Sequence, residues 1–556
     1  MSSKEGEVVA KKNGRRIYNL DAQRRSRHLA PGVIGVCLVV ILAWSMALVL
    51  VPGARASAGP FHAALKVPSQ YPTIQSAINA AHSGDTILVA PGTYIEQLTI
   101  TKSVTIMGSG AGKTIIQSPA VLKPDAFGNP WTIELGNAAM VTLSGFTLLV
   151  TLQCIINSTT PASIFESQLG YAGGGIGVGG RAFLNLESAV VATTGATEGA
   201  SCGGPSPAPT GFLSYGTGVD FGLDYLTGSP AALALVGFGT VSEVRISGFG
   251  FGGSGISVGG EANSPSGSYA LISNDQVTTK GTVNVPCCAA PLPVGVSVGH
   301  GGNASSATIV HNTLTGVQGT ISFPIDVGFG SSAYIAHNSI TATGWANGVS
   351  VFQSSSATIT DNSIVIGTAP PKGDVAWGIY VESSWATITY NSITGPSVDG
   401  VGIFLLGSSA TVEFNSISQM ECEYNPTLGG PCGPSWATQL AGYGIIDYSD
   451  AGLGTTIANN LIFSTDVGIL LWSGCLGCVV KDNVLVSNLD YGLAGIDGSY
   501  SFSQNLVVGG LYGAASIAST VDTTVTLSHV AIVGTFVAPF YTEADFSGGS
   551  ATINGA

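Results

Sequence analysis

Acidic side chains recur in the middle of the chain in a pattern that could bind a metal ion. They are Asp326, Asp361, Asp374 and Glu382, and Lys372 stands beside Asp374. Carboxylate oxygens are the ligands that Ca²⁺ prefers, and a bound Ca²⁺ could position an acidic sugar. We therefore expect Asp361, Asp374 and Glu382 as candidate metal ligands and Ca²⁺ as the candidate cofactor. The alternative is that these residues are solvated acids of surface turns.

Two histidines and one of these acids share a second pattern. His311, His337 and Asp361 each stand immediately before an asparagine. If the chain stacks these positions in one column, two imidazoles and a carboxylate could bind Zn²⁺ or Cu²⁺. Solvated turn residues are the alternative here as well.

Aromatic residues occur in short segments that begin with Gly and alternate aliphatic residues with others. In a strand that buries its aliphatic side chains, the positions between and after them point outward. This places a stripe on the surface, which comprises Phe352, Tyr380, Phe404, Tyr448, Leu470 and Trp472. Its five aromatic members are the candidate carbohydrate-binding residues, because such stripes stack on sugar rings or mark a protein contact. The alternative is that loops fold over the strands and bury the stripe.

A sequence repeat determines where all these residues lie. Its copies read Ala307-Thr-Ile-Val-His-Asn312, Ala333-Tyr-Ile-Ala-His-Asn338, Ala357-Thr-Ile-Thr-Asp-Asn362, Ala386-Thr-Ile-Thr-Tyr-Asn391 and Ala410-Thr-Val-Glu-Phe-Asn415, and weaker copies end at Asn460, Asn483 and Asn505. The unit of about two dozen residues has alternating strands and no room for a helix, as in a parallel β-solenoid. We expect the asparagines to form an inward-facing hydrogen-bonded column.

The beginning of the repeat region resembles a known superfamily. Ile74, Ala77, Ile78 and Ala81 have helical spacing, and three short strands follow, beginning at Thr86, Leu98 and Val104. Residues 67–116 resemble the opening of pectin-lyase-like right-handed β-helix proteins, including pectin methylesterases and the family of the nitrous-oxide-reductase maturation protein. The asparagine repeats resemble the parallel β-helix repeat. This resemblance implies an all-β, single-stranded right-handed parallel β-helix with an N-terminal capping helix.

The sequence contains none of the known catalytic motifs of proteins with this fold. The pectate lyase motifs Trp-x-Asp-His and Arg-x-Pro-x-x-Arg, the Asp-Asp pair of polygalacturonases and the later esterase motifs are missing from the sequence. Whether the chain is an enzyme therefore stays open, and an enzyme would be a polysaccharide lyase or a related carbohydrate-active enzyme.

Composition and charge indicate an exported protein with a folded body. With 78 Gly, 9% charged residues and 45% hydrophobic residues, the 556-residue chain is not intrinsically disordered. Residues 33–51 form an uncharged apolar run, with eight basic residues before it and Arg55 soon after it. The positive-inside rule places the body outside the cytoplasm. The body holds 9 basic and 29 acidic residues, which makes nucleic acid a poor partner.

The domain organisation follows from these segments. We expect a basic cytoplasmic leader (1–32), a transmembrane anchor or signal h-region (33–51), an export linker (52–64) and a β-helix with loop insertions (65–556). The small residues after the run also fit a signal-peptidase site, and we favour an uncleaved anchor. The body contains eight cysteines, an even number that favours disulfides in an exported protein: Cys154, Cys202, Cys287, Cys288, Cys422, Cys432, Cys475 and Cys478.

The sequence thus predicts an exported, membrane-tethered or secreted β-helix protein. Its expected partners are the membrane, through residues 33–51, and an extracellular polysaccharide or another surface component, through an exposed strand flank. A Ca²⁺-assisted polysaccharide lyase and a metal-handling accessory factor are the alternatives.

Overall fold

The structure is a computed structural model. It describes residues 64–123, 131–151, 174–194, 219–221, 237–250, 254–259, 267–280, 294–299, 304–317, 323–343, 347–367, 376–395, 400–420, 442–448, 454–474, 477–544 and 549–555. None of the helices in these ranges is long and apolar enough to cross a membrane. Residues 33–51 lie outside the described residues, so the predicted anchor stays a prediction.

The described chain winds through three parallel sheets, here called A, B and C, in that order in every turn. Sheet A contains β1 (Ala64–Val67), β2 (Thr86–Val89), β5 (Val104–Gly108), β8 (Met140–Ser144), β11 (Phe183–Glu187), β14 (Phe238–Ser242), β17 (Tyr269–Ser273), β20 (Ser306–Val310), β23 (Ser332–Ala336), β26 (Ser356–Thr360), β29 (Trp385–Thr389), β32 (Ser409–Glu413), β35 (Thr456–Ala458), β38 (Val479–Lys481), β41 (Ser499–Ser503), β44 (Thr523–Ser528) and β47 (Ala551–Asn554). Sheet B contains β3 (Gly92–Ile95), β6 (Thr114–Gln117), β9 (Thr147–Thr151), β12 (Val190–Thr194), β15 (Arg245–Gly250), β18 (Gln276–Lys280), β21 (Thr313–Val317), β24 (Ser339–Ala342), β27 (Ser363–Ile366), β30 (Ser392–Thr394), β33 (Ser416–Met420), β36 (Leu461–Thr465), β39 (Val484–Val486), β42 (Leu506–Val508) and β45 (Ala531–Val533). Sheet C contains β4 (Leu98–Ile100), β7 (Trp131–Leu135), β10 (Gly174–Val178), β13 (Val219–Phe221), β16 (Ser254–Val258), β19 (Val294–Val298), β22 (Phe323–Val327), β25 (Asn347–Phe352), β28 (Ala376–Glu382), β31 (Gly400–Leu406), β34 (Tyr443–Tyr448), β37 (Val467–Trp472), β40 (Tyr491–Ile496), β43 (Tyr512–Ala518) and β46 (Ala538–Ala544).

This architecture is the predicted right-handed parallel β-helix. Strands of successive turns pair in register, apart from a shift between β15 and β18. Equivalent residues therefore stack in columns, and neighbours within a column are about 4.8 Å apart. The isoleucine of each Ala-x-Ile segment points inward, and Ile335, Ile359 and Ile388 are fully buried. The aliphatic alternation of the sequence therefore forms the core between the three sheets.

The predicted asparagine column is confirmed at the corner between sheets A and B. The Asn391 amide nitrogen donates to the Ile359 carbonyl and to the Oδ1 of Asn415, at 2.8 and 3.0 Å. Its own Oδ1 accepts from the backbone N–H and the side-chain amide of Asn362, both at 3.0 Å. The same pattern links the ladder asparagines, which are Asn312, Asn338, Asn362, Asn391, Asn415, Asn460, Asn483 and Asn505. In these turns, the ladder satisfies buried backbone groups at the corner between sheets A and B.

The recurring glycines of sheet C permit a close approach between strands. A Cβ atom on Gly378 would lie 2.5 Å from the Gly402 carbonyl oxygen and 2.6 Å from Cγ2 of Ile393. Neither distance is compatible with a side chain unless the neighbours shift. The Gly-aliphatic-x-aliphatic signature therefore reflects packing at the corner between sheets B and C.

The predicted capping helix, α1 (Ile74–Ala80), covers the first turns of the stack and contacts β1, β2 and β4. Its N-terminus is fixed by Thr73, whose Oγ1 accepts from the backbone N–H of Ser76 at 3.0 Å. The Glu96 carboxylate accepts from the N–H groups of Ile74 and Gln75, each at 2.9 Å. Negative charge at a helix N-terminus is favourable, so the first turn holds the helix in place.

One cysteine lies within the described residues. Cys478 is disulfide-bonded. The other seven cysteines of the body lie outside the described residues, so the pairing pattern stays a prediction.

Candidate functional site

A shallow groove runs along the outer face of sheet A. It has a volume of about 580 Å³ and crosses six successive strands, from β17 to β32. Six strands span about 24 Å along the stack at the usual spacing. We call it the sheet A groove, and its side chains are those of Ser, Thr, Ala, Tyr and Trp.

Three aromatic side chains stand exposed in this groove. Tyr269 is 41% exposed, Tyr334 is 43% exposed and Trp385 is 53% exposed. Among the described residues, none of the three stacks on another aromatic ring. Their faces are therefore available to an apolar surface such as the face of a sugar ring.

The register of the strands sets the spacing of these rings. Tyr269 and Trp385 occupy one column, which continues through Ser306, Ser332 and Ser356. They are four strands apart, about 19 Å along the stack. Tyr334 lies on the strand midway between them and two residues further along its strand, about 7 Å to the side. The three rings form a staggered row parallel to the axis of the β-helix.

Hydroxyl groups fill the surface between the rings. The hydroxyls of Thr358 and Thr387 have no hydrogen-bond partner within the part of the chain that the structure describes. A hydroxyl can both donate and accept, as a sugar hydroxyl can. The groove thus combines stacking surfaces with neutral hydrogen-bonding groups, and its lining offers no carboxyl, imidazole or amine for acid–base chemistry. This arrangement suits binding.

The predicted aromatic stripe lies on the outer face of sheet C, where it forms two columns rather than one. Tyr380 and Phe404 share the first column, which continues with Ile446 and Leu470. The second column contains Phe352, Glu382, Leu406, Tyr448 and Trp472. There are two columns because the aromatic residue does not stand at the same outward position in every strand. The two outward positions are two residues apart along the strand.

The stripe is only partly exposed, which lies between the two alternatives of an open stripe and a buried one. Leu470 is only 1% exposed and belongs to a second hydrophobic cluster, separate from the core between the sheets. The five aromatic residues are half-buried, and Phe404, Tyr448 and Trp472 pack against this cluster. Tyr380 is engaged as well, since its hydroxyl donates to Glu382 Oε2 at 3.0 Å. Secondary packing accounts for much of the stripe, and a carbohydrate-binding role for it stays a prediction.

The predicted Ca²⁺ ligands are not brought together by the described residues. Asp361 lies in the turn after β26, at the carboxyl end of sheet A, and Glu382 ends a strand of sheet C. A whole strand of sheet A, β29, separates these two ends. Asp374 and Lys372 lie outside the described residues. No group of three or more His, Cys, Asp or Glu that could hold a metal ion occurs in the described ranges.

The histidine column does form. The rings of His311 and His337 are stacked, with centroids 4.9 Å apart and planes 7° apart. Each of the turn residues His311, His337 and Asp361 has a positive φ of 54–58°. Tyr390 and Phe414 continue the same column as a stacked pair, with centroids 5.0 Å apart. This stacking gives the two histidines a packing role, and metal binding by the column stays a prediction.

The carboxyl of Asp326, on sheet C, has a raised pKa. Asp326 points to the outer side of sheet C, since Ile325 and Val327 point inward, and its side chain is half-buried. Ser350 is its neighbour one turn later. Burial raises the pKa of the Asp326 carboxyl to about 7. Such a group exchanges protons near neutral pH, as a general acid or base must.

Tyr269, Tyr334 and Trp385 are not among the residues that the sequence predicted for a binding site. Tyr334 replaces the Thr of the Ala-Thr-Ile repeat, and Trp385 immediately precedes another copy of it. Both positions point outward because the Ala and Ile of the repeat point inward. Comparing outward positions across the copies would have found these rings.

The fold and the groove together define a class of protein. It is a right-handed parallel β-helix protein with an aromatic, uncharged groove on one sheet. No protein-family model matches the sequence, and the search of curated proteins finds no match.

Solved structures with this fold are similar to the chain. One is the Dettilon tailspike protein, with 14% identity, a TM-score of 0.37 and coverage of 73% of this chain and 60% of that one. The chain thus spans about 60% of the tailspike's length. Another is the catalytic unit of a GH87 α-1,3-glucanase from Streptomyces thermodiastaticus, with 13% identity, a TM-score of 0.34 and coverage of 89% and 71%. A PL6 family alginate lyase has 12% identity, a TM-score of 0.39 and coverage of 86% and 72%.

Proposed function

We propose that this protein binds a polysaccharide in the sheet A groove. The observation that carries the proposal is the staggered row of Tyr269, Tyr334 and Trp385 over a floor of hydroxyl groups. Aromatic faces stack on the apolar faces of sugar rings, and the hydroxyls exchange hydrogen bonds with those of the sugar. The groove is open and elongated, so it suits a polymer better than a small molecule.

The proposal includes a location outside the cytoplasm. Residues 33–51 and the basic residues before them support export of the body, and an uncleaved segment would keep it at the membrane. A polysaccharide at the cell surface or in the surroundings would then be within reach of the groove. The body itself is the part that recognises the polymer.

Affinity electrophoresis tests this function. The full chain in a mild non-ionic detergent is run through gels cast with different polysaccharides, and the gels are then stained for intact polymer. We expect at least one polymer to retard the chain and to remain intact. The absence of retardation by any polymer would overturn the proposal and favour a protein partner.

A pair of double variants identifies the binding face. Tyr334→Ala with Trp385→Ala removes two rings from sheet A, and Tyr380→Ala with Trp472→Ala removes two from sheet C. Aromatic contacts are worth about 0.5–1.5 kcal/mol each, so the first variant should bind about 5- to 150-fold more weakly. The second should bind as the unchanged protein does. The opposite result would assign binding to the predicted stripe.

Asp326 favours a second candidate function, a carbohydrate-active enzyme. A carboxyl with a pKa of about 7 can serve as general acid or base, and Glu382 lies two turns further on the same face of sheet C. The same gels test it, because cleavage leaves a cleared zone. A zone that disappears in Asp326→Asn would establish this function, and a zone that also needs Ca²⁺ would favour the lyase.

A further inference from the structure

The lining of the sheet A groove contains no ionisable Asp, Glu, Lys, Arg or His. Its polar groups are the hydroxyls of Ser, Thr and Tyr, all neutral near pH 7. A charged ligand would therefore have to give up hydration without gaining an opposite charge. An uncharged ligand does not pay this cost of losing the hydration of a charge.

The border of the groove has the wrong charges for an acidic ligand. Asp361 and Glu413 lie at the carboxyl ends of β26 and β32, two strands that line the groove. Among the described residues, the sheet A strands from β17 to β32 and the turns after them contain no Lys or Arg, and their basic side chains are the imidazoles of His311 and His337. The body as a whole has 29 acidic residues against 9 basic ones. A polyanion would thus meet repulsion both near the groove and at a distance.

We infer that the sheet A groove selects uncharged polysaccharide chains and rejects acidic ones. This inference rests on the proposed function and names the chemical class of its ligand. Tyr269 and Trp385 share one column, so the polymer lies along the axis of the β-helix, with Tyr334 beside it. Recognition comes from ring stacking and neutral hydrogen bonds, and binding to the neutral polymer therefore depends little on ionic strength.

The test uses matched derivatives of one polymer. Neutral glucans, mannans and galactans are screened by affinity electrophoresis with the full chain in non-ionic detergent. The polymer that retards the chain is then compared with its carboxymethyl derivative and with its hydroxyethyl derivative. The hydroxyethyl group has a similar size but no charge, so it separates charge from bulk.

We expect the hydroxyethyl polymer to retain binding and the carboxymethyl polymer to bind at least tenfold more weakly at low salt. At about 1 M salt the Debye length falls to about 3 Å, so part of the lost binding should return. Equal or stronger binding of the carboxymethyl polymer would overturn the inference and leave the proposed function intact. The absence of binding to every neutral and acidic polymer would overturn both.

A charge placed in the groove provides an independent check. Thr358→Lys adds a cation to the floor, and Thr358→Gln is the uncharged control. The lysine variant should gain affinity for the carboxymethyl polymer at least fivefold relative to the glutamine variant. Equal affinities of the two variants would mean that the polymer does not lie in this groove.

Discussion

Asp275 begins the ladder that otherwise consists of asparagines. Its Oδ1 accepts from the Val244 N–H at 2.7 Å, and its own N–H donates to Asn312 Oδ1 at 2.9 Å. Its Oδ2 is buried and has no partner among the described residues. An asparagine would place a donating amide there, so the carboxyl fits the ladder best when it is protonated. Burial accordingly raises the pKa of Asp275 to about 7.

We predict that Asp275→Asn stabilises the protein at neutral pH. In the unfolded chain the carboxyl ionises near pH 3.8, so between pH 3.8 and about 7 folding takes up a proton. The stability of the unchanged protein should therefore fall as pH rises through this window, by at most about 1.4 kcal/mol per pH unit. Asp275→Asn has no carboxyl at this position, so its stability should not show this fall with pH. Urea unfolding at pH 4, 5, 6, 7 and 8 measures the difference.

The advantage of the variant should be small at pH 4, grow up to about pH 7 and stay constant above it. Asn312→Asp is the matched counterpart, because it adds a second buried carboxyl to the ladder. Its stability should fall more steeply with pH than that of the unchanged protein. A difference between Asp275→Asn and the unchanged protein that does not vary with pH would contradict the assignment of a raised pKa.

At the scale of the strand and its corner, the ladder asparagines connect sheet A to sheet B. Removing the Asn391 amide would leave the buried Asn362 N–H without its acceptor and the Ile359 carbonyl without this donor. Each orphaned group costs about 1–3 kcal/mol. We therefore predict that Asn391→Ala lowers the free energy of unfolding by about 2–6 kcal/mol, measured by urea titration.

Ser392→Ala is the control for this substitution. Ser392 is the next residue and is exposed, so its variant should unfold within about 0.5 kcal/mol of the unchanged protein. If Asn391→Ala were no less stable than this control, the ladder would not support the corner.

The elements differ in how much of them could be predicted. The strands, the capping helix and the ladder were predictable because buried positions repeat: Ile335, Ile359 and Ile388 must fill the same core in every turn. The sheet A groove was harder to predict. The repeat shows that Tyr334 and Trp385 occupy outward positions, but stacking does not determine which residue type stands at such a position. The half-burial of Phe404 and Trp472 also depends on what packs over sheet C, and the alternation of a strand carries no information about that.

At the scale of the whole molecule, the proposed export of the body and its attachment to the membrane both depend on residues 33–51. Residues 33–51 are long enough to span a bilayer, and eight basic residues before them favour a cytoplasmic N-terminus. If the segment is retained, the β-helix is tethered, and its groove can bind polymer only near the membrane. If it is cleaved, the body diffuses away with any polymer it binds.

We predict that the segment is retained. A site-specific protease sequence inserted between Gly59 and Pro60 should allow external protease to release the body from intact cells, since we expect the linker to lie outside. Without protease, the full chain should stay in the membrane pellet after an alkaline wash. Leu38→Lys with Leu42→Lys is the control, because each charge at the centre of the span costs about 2.5–3.5 kcal/mol. That variant should remain inside the cell and resist release.

The place where the body is found tests export and retention of the segment separately. A body that appears in the culture fluid without protease would contradict the anchor but keep export, because a signal peptide would then have been removed. A body that stays in the soluble cytoplasm would contradict both. Polysaccharide binding in the sheet A groove would then lack access to an extracellular polymer, since the polymer and the groove would lie on opposite sides of the membrane.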